Sequence, residues 1–382
     1  MKAAIYDPYL DTLGGGERYC LTVAEILLAQ GWSVDLFWSG DNDLINLAVS
    51  RFSLKLDGLN IVPDIFGLKT TDIDTTQDQN IEKFISHKTT TKSIINKFKQ
   101  TRKYDFVFFL NDGSIPFLFS KKNILHVQVP FITKVSSKQR LLNTVKSKLI
   151  SKIVCNSNFT ASYIHSNLKS KVEVIYPPVD IDSMDNHQQK QNIILSVGRF
   201  DNILNSKKQD LMIEVFAKFI KQNPGTDWKL ILMGGSRLSE TENHYLLHLK
   251  NLATNLPVEF IINPDFEKLK QIYSISKIYW HAAGYGVDQN IHPELCEHFG
   301  ISPVEAMASG LVPVLANKGG LPEIVTNGVN GFLWDEPSDL LAKTQLLIIT
   351  PSTLAKMSLE AIKSSKIFSK NIFKEKIINL LN

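Results

Sequence analysis

Two glutamates, Glu297 and Glu305, bracket seven residues in the run EHFGISPVE. Within it Ser302 reads as a helix N-cap, Pro303 as the first helical position and Glu305 as the third residue after the cap, while Gly310 ends the helix. A helix start presents unpaired amides, here around Gly300 and Ile301, and carries partial positive charge, so it suits a diphosphate. Glu305 then has two readings: it reaches back to the amide of Ser302, or it binds the hydroxyls of a ribose. Glu297, in the loop before the helix, is either an exposed loop acid or a carboxylate beside an anion site.

The cations point the same way. Arg199 ends the strand in SVGRF, and Lys207 and Lys208 open the helix that follows. Positive side chains at a helix N-terminus oppose its dipole at about 0.3–1 kcal/mol each, so an anion is expected to offset them, and a nucleotide diphosphate would. Near the start of the chain, Gly14-Gly15-Gly16-Glu17-Arg18 precedes another helix. Its glycines suit a phosphate or a closely approaching sugar. The dinucleotide fingerprint wants a third glycine where Tyr19 stands and a tighter turn than Pro8–Leu13 allows, which argues against NAD. His126 closes a strand at its carboxyl end, where it either faces a ligand or is a structural histidine. Asp-x-Asp triplets occur at Asp41/Asp43, Asp72/Asp74 and Asp180/Asp182 without further ligands nearby, so no metal is assigned.

These residues need a scaffold, and the periodicity supplies one twice. Lys2–Tyr6 is strand-like, Glu17–Gln30 helical, Gly31 a stop and Ser33–Trp38 strand-like, which makes a βαβ unit. Further strands are expected at Phe106–Leu110, Ile124–Val127, Ile153–Asn156 and Val172–Tyr176. Tyr176-Pro177-Pro178 and the polar run Asp182–Gln191 mark a linker. The pattern restarts with strands at Asn192–Val197, Trp228–Met233, Val258–Ile262, Ile278–Ala282 and Val312–Ala316. They alternate with helices at Lys207–Gln222, near Glu240–Thr254, at Phe266–Ser274 and at Pro303–Ser309, as in a parallel sheet covered on both faces. After Pro337 the chain is helical. Two α/β domains follow, 1–178 and 179–365, with an apolar final segment at 366–382.

Composition agrees. The 382 residues exceed one ordinary core, and 43% apolar with 21% charged residues is typical of a globular protein. No run is apolar enough to span a membrane, Asp7 interrupts any export signal, and Cys20, Cys155 and Cys296 are too scattered for a disulfide framework or a metal site. A reducing cytoplasm fits. Within a net charge of +4, residues 86–103 and 132–152 each carry several Lys or Arg and no acid, interleaved with apolar residues at helical spacing. They are either solvated amphipathic helices or contacts for an anionic membrane surface, the latter placing the protein peripherally at the inner face of the membrane. Nothing accompanies them that reads nucleic acid.

Taken together, GGGER at 14–18, the histidine of HVQVP at 126, SVGRF with Lys207, EHFGISPVE and the GG..EIV..G.NG run at 319–331 resemble the retaining glycosyltransferases typified by sucrose synthase, glycogen synthase and bacterial mannosyltransferases. The resemblance covers essentially the whole chain. It implies an α/β fold of two facing Rossmann-like domains (GT-B) with parallel sheets. The first domain would bind the acceptor, the second the nucleotide sugar, and the C-terminal helix would cross back to the first. It also implies roles. Gly15 and Gly16 would approach the donor phosphates or the acceptor, and His126 would contact the transferred sugar or the acceptor hydroxyl. Arg199 and Lys207 would stabilise the leaving diphosphate in place of a metal, and no cofactor beyond the nucleotide sugar is implied. Glu297 would sit at the transferred sugar, Glu305 at the ribose, and Gly300 and Ile301 would donate amides. The gap between Arg199 and the lysine is longer than the family commonly shows, which leaves Lys207 and Lys208 both open for that role. The implied reaction moves a hexose, with mannose favoured, from a GDP-, UDP- or dTDP-sugar to a glycan or lipid-linked acceptor, as in polysaccharide biosynthesis. A nucleotide-sugar epimerase and a non-catalytic sugar-nucleotide-binding protein are the alternatives.

Overall fold

The structure is a computed structural model that describes residues 1–67, 91–111, 113–130, 137–185, 187–201, 206–236 and 243–382. The triplet Asp72/Asp74, the start of each basic block (86–90 and 132–136) and residues 202–205 lie outside the described residues.

Packing divides the chain into two units, Met1–Pro178 with Asn371–Asn382, and Val179–Lys370. In the first, β1 (Lys2–Tyr6) leads through α1 (Gly15–Ala29) to β2 (Ser33–Phe37), and α2 (Asp43–Phe52) leads to β3 (Leu59–Val62). Next come α3 (Thr91–Thr101), β4 (Phe106–Leu110), β5 (Lys122–Val127), α4 (Ser137–Leu149), β6 (Lys152–Cys155), α5 (Asn158–Ser162) and β7 (Val172–Val174). Among the described residues these strands form one sheet in the order β3-β2-β1-β4-β5-β6-β7, and every pairing is parallel. Strand β4, FVFFL, is buried throughout, as a strand covered on both faces must be. Alternate residues feed two cores. Ala3, Ile5, Phe106 and Phe108 pack with α1, while Ala4, Tyr6, Val107 and Phe109 pack on the opposite face.

The second unit contains β8 (Ile193–Val197), α6 (Gln209–Gln222), β9 (Lys229–Gly234), α7 (His244–Leu252), β10 (Val258–Ile262) and α8 (Phe266–Ile275). It continues with β11 (Ile278–His281), α9 (Ile301–Ala308), β12 (Val312–Ala316), β13 (Phe332–Trp334), α10 (Pro337–Ile349) and α11 (Pro351–Ser365). Its sheet, also parallel, runs β10-β9-β8-β11-β12-β13. The last helix, α12 (Lys370–Leu381), returns to the first unit, where Phe373, Ile377 and Leu380 are buried beside α1. The apolar residues of the final segment have that destination.

In each sheet the chain builds outward on one side and then restarts on the other, so the order reverses between β1 and β4 and between β8 and β11. The carboxyl ends of the strands at such a reversal diverge into loops and leave room for a ligand.

Candidate active site

At the reversal in the second sheet, His281 is the last residue of β11, and Lys207 comes from the loop after β8. Glu297 lies in the segment between β11 and α9. The Lys207 ammonium Nζ is 2.5 Å from Glu297 Oε2, and His281 Nε2 is 2.9 Å from the same oxygen. Burial alone would raise the Glu297 pKa. The Lys207 charge, the hydrogen bond and charge of His281, and the hydrogen bond from Lys207 outweigh it and hold the carboxyl well below the usual range. His281 is itself buried, which lowers its pKa; Lys207 acts in the same direction and Glu297 against it. A neutral imidazole beside a carboxylate keeps its proton on Nε2 and donates it there. Its Nδ1 is then a buried acceptor without a hydrogen-bond partner among the described residues.

Two glycines hold this triangle together. An added Cβ at Gly198 would stand 2.5 Å from Lys207 Cγ, so the lysine stem runs over a position that must lack a side chain. Gly319 has φ +61°, and a Cβ there would stand 2.2 Å from the Glu297 carbonyl oxygen. The next amide, Gly320 N, donates to that carbonyl at 2.8 Å. The GG run at 319–320 thus fixes the main chain of Glu297.

Several expectations are corrected here. Helix α9 starts at Ile301 with Gly300 as N-cap, so Ser302 does not cap it and Glu305 does not close a capping box. Ser302 Oγ instead accepts from Tyr279 OH at 2.8 Å and lies 3.3 Å from the carbonyl of Val197, tying α9 to the sheet. Glu305, buried on the second turn, accepts from Tyr273 OH at 3.4 Å. The leading amides of α9 are those of Ile301 and Ser302, since Pro303 has none. Helix α6 begins at Gln209, so Lys207 precedes it, and the anion beside Lys207 is Glu297 within the chain. Of the two lysines, Lys207 reaches Glu297, whereas Lys208 is the left-handed cap of α6 at φ +55°. Arg199 is half exposed and pairs with Asp201 at 3.3 Å, while its carbonyl accepts from Gln209 Nε2 at 2.9 Å.

In the first unit, the glycine run forms the start of α1, with Gly14 as N-cap. Glu17 Oε2 accepts from Gly14 N at 2.5 Å and from Thr12 Oγ1 at 2.7 Å, which secures the loop. Beneath it, Asp7 at the end of β1 is fully buried, and burial together with the Glu17 charge pushes its pKa well up. Of the two readings of His126, its surroundings fit the structural one: the ring is fully buried, stacked on Tyr19 with centroids 3.9 Å apart. Burial lowers its pKa to about 3 against the hydrogen bond to Val154, so it is neutral. Its Nδ1–H donates to the carbonyl of Val154 at 3.0 Å, and Nε2 accepts from Gln128 Nε2 at 2.8 Å. The Gln128 amide extends on toward the Gly16 carbonyl, 3.5 Å away, and a Cβ at Gly16 would meet Gln128 Oε1 at 2.6 Å. Gln128 therefore stands between His126 and the glycine run, and Gly16 is tied to the histidine through it.

His281 and Gln128 were not singled out from the sequence. The available signal for both is position: each follows a buried strand run at its carboxyl end, as His126 and Arg199 do.

Residues 180–364 match the family of glycosyl transferases group 1. The match takes up most of the second unit. The match to the group 1 family contains Arg199, Lys207, His281, Glu297 and Glu305. A Xenopus laevis relative, GDP-Man:Man(3)GlcNAc(2)-PP-Dol alpha-1,2-mannosyltransferase, is 33% identical over 217 residues, covering 52% of this chain and 42% of the relative. The chain thus spans less than half the length of that curated relative. Among solved structures, a glycosyltransferase from Rickettsia africae superimposes with a TM-score of 0.74 at 16% identity, over 100% of this chain and 97% of the other. Anabaena Alr3699/HepE, solved with UDP and glucose, gives 0.69 at 19% identity over 99% and 98%. At these identities the likeness shows the fold, two Rossmann-like units, over the whole chain.

Proposed function

We propose that the chain is a retaining, metal-independent hexosyltransferase that moves mannose from a nucleotide diphosphate sugar to a lipid-linked glycan. The observation that carries this reading is the grip of Lys207 and His281 on one oxygen of Glu297, at the strand ends where the sheet order reverses and beside the start of α9. The second unit would hold the donor: the α9 amides at Ile301 and Ser302 meet the diphosphate, Glu305 the ribose, and Lys207 with Arg199 the leaving charge. Positive side chains fill the role that a divalent ion would otherwise take. The first unit would bind the acceptor, with Gly15, Gly16 and Gln128 lining its path.

In the reaction, the acceptor hydroxyl oxygen bonds to the anomeric carbon from the side on which the diphosphate leaves. The bond from that carbon to the phosphate oxygen breaks, its electron pair goes to the diphosphate, and the hydroxyl proton passes to the departing phosphate oxygen. Glu297, held ionised, faces the developing positive charge on the sugar, and Lys207 bridges it to the leaving group. The likeness to the GDP-mannose-named relative supports mannose and a lipid-linked acceptor, and the UDP and glucose of the Anabaena structure support a nucleotide-sugar site.

The test is a panel of GDP-, UDP- and dTDP-sugars with a polyprenyl-diphosphate glycan acceptor, in EDTA, with the product's anomeric configuration read by NMR. Transfer from GDP-mannose with the donor's configuration kept, undiminished by EDTA, is the expected result. Loss of all transfer in EDTA, restored by Mg²⁺, would remove metal independence, and an inverted product would remove retention. Interconversion of free sugar nucleotides without an acceptor would point to an epimerase.

A further inference from the structure

Helices α3 and α4 enclose one aromatic strip of the first unit. Phe98 of α3 meets Phe119 edge-on at 5.2 Å, Phe119 stacks with Phe117 at 6.2 Å, and the Lys146 ammonium of α4 lies 5.1 Å over the Phe117 ring. The Phe119 amide also donates to Thr101 Oγ1 at 3.0 Å. These contacts fix how each helix is turned. With Thr101 buried and Lys97 set over the Phe66 ring, α3 turns Lys92, Ile95, Lys99 and Arg102 outward along one stripe, with Phe98 beside it. With Lys146 buried, α4 turns Leu141, Val145 and Lys148 outward.

The outward stripes combine exposed apolar groups with an unbroken positive sign. Ile95 is 50% exposed, Phe98 43%, Leu141 70% and Val145 51%. Residues 91–104 and 137–152 hold five Lys or Arg each, and no Asp or Glu. Nucleic acid would use the cations but has no use for exposed Ile95 and Leu141, while a neutral apolar partner would use the reverse. The lipid–water interface uses both, burying the aliphatic groups among acyl chains while the long basic side chains extend to head-group phosphates.

We infer that the α3–α4 face docks on an anionic bilayer surface. The four apolar side chains enter the interface, and Lys92, Lys99, Arg102 and Lys148 meet the lipid head groups. The inference goes beyond the proposed transfer reaction and does not depend on it, because binding needs neither donor nor acceptor.

The test is co-sedimentation of the full chain with vesicles of phosphatidylcholine, pure or with about 30% phosphatidylglycerol, at low and high salt and without substrates. Binding to the anionic vesicles at low salt should exceed binding to neutral ones by at least about tenfold and weaken as salt rises. K99E should lower it by more than the roughly fivefold expected for one lost charge near the surface. The pair I95S/L141S, which keeps every charge, should lower it about tenfold or more. All these positions are exposed, so unchanged thermal melting is the folding control. Equal binding to both vesicle types overturns the proposal. So does loss in K99E with full binding in I95S/L141S, since a purely electrostatic face would fit an acidic polymer instead.

Discussion

Lys207 and Glu297, ninety positions apart in the chain, form a largely enclosed ion pair at 2.5 Å that exists because Gly198 leaves room for the lysine stem. The pair joins the loop after β8 to the approach to α9, the two segments that flank the reversal in the second sheet. Both side chains are 14% exposed, so the attraction is little screened, and removing one partner would strand the other's charge.

Gly198→Ala tests whether the lysine must lie where it does. The new methyl would stand 2.5 Å from Lys207 Cγ and drive the side chain aside without touching Glu297. Transfer should fall roughly 10- to 100-fold, as expected when a charged group is displaced by an ångström or so, with the melting temperature little changed. Steady-state rates beside a thermal melt give the answer. Full activity in the variant would detach Lys207 from the chemistry.

Acid stability should carry the signature of buried neutral histidines. Burial lowers His298 to about 4, against the nearby Glu297 charge and the Glu294 carbonyl, while an unfolded histidine titrates near 6.5. Between these values the unfolded chain binds a proton that the folded chain does not, so stability falls as pH falls from about 6.5 toward 4. His298→Gln should remove about 1 kcal/mol per pH unit of that slope between pH 6 and 5. Urea midpoints of both proteins across this range are the measurement. Asp7 acts oppositely, since its raised pKa adds stability on acidification, so the comparison between the two proteins carries the result.

Glu305→Gln separates a ribose contact from a structural role. Gly300 caps α9 and Glu305 does not, so the change leaves the helix start intact. Glutamine accepts a weaker hydrogen bond from hydroxyls than a carboxylate does, and nucleoside diphosphate affinity should drop about tenfold. Calorimetry on the free nucleotide reads this directly. Unchanged affinity would leave Glu305 to its contact with Tyr273.

The sequence made the inner strands legible because they are continuous apolar runs, as in FVFFL at 106–110 and IILSV at 193–197. Two of the four edge strands, β3 and β13, were not. Leu59–Val62 and Phe332–Trp334 are short, and the first is only half-buried, so neither stands out from a loop. The start of α9 was misplaced because Ser-Pro-Val-Glu satisfies a local capping rule, whereas a tertiary hydrogen bond from Tyr279 takes Ser302 into the sheet contact. Local pattern also could not show that His281 would meet Glu297, since that pairing depends on how the segment before α9 runs past the end of β11. Glu297 and Lys207 were legible as residue types at their spacing, but their mutual contact was not.

The most direct test of the central claim compares Glu297→Gln with the wild type in two assays on the same preparations, with folding checked by thermal melting. Glutamine keeps the size of the side chain and removes its charge, so nucleoside diphosphate binding by calorimetry should change less than threefold. Turnover at saturating donor and acceptor should fall by about 100-fold or more, because the carboxylate acts where charge develops in the transition state. Turnover within a fewfold of the wild type would contradict the account, and so would a loss of nucleotide affinity that matched the loss of rate.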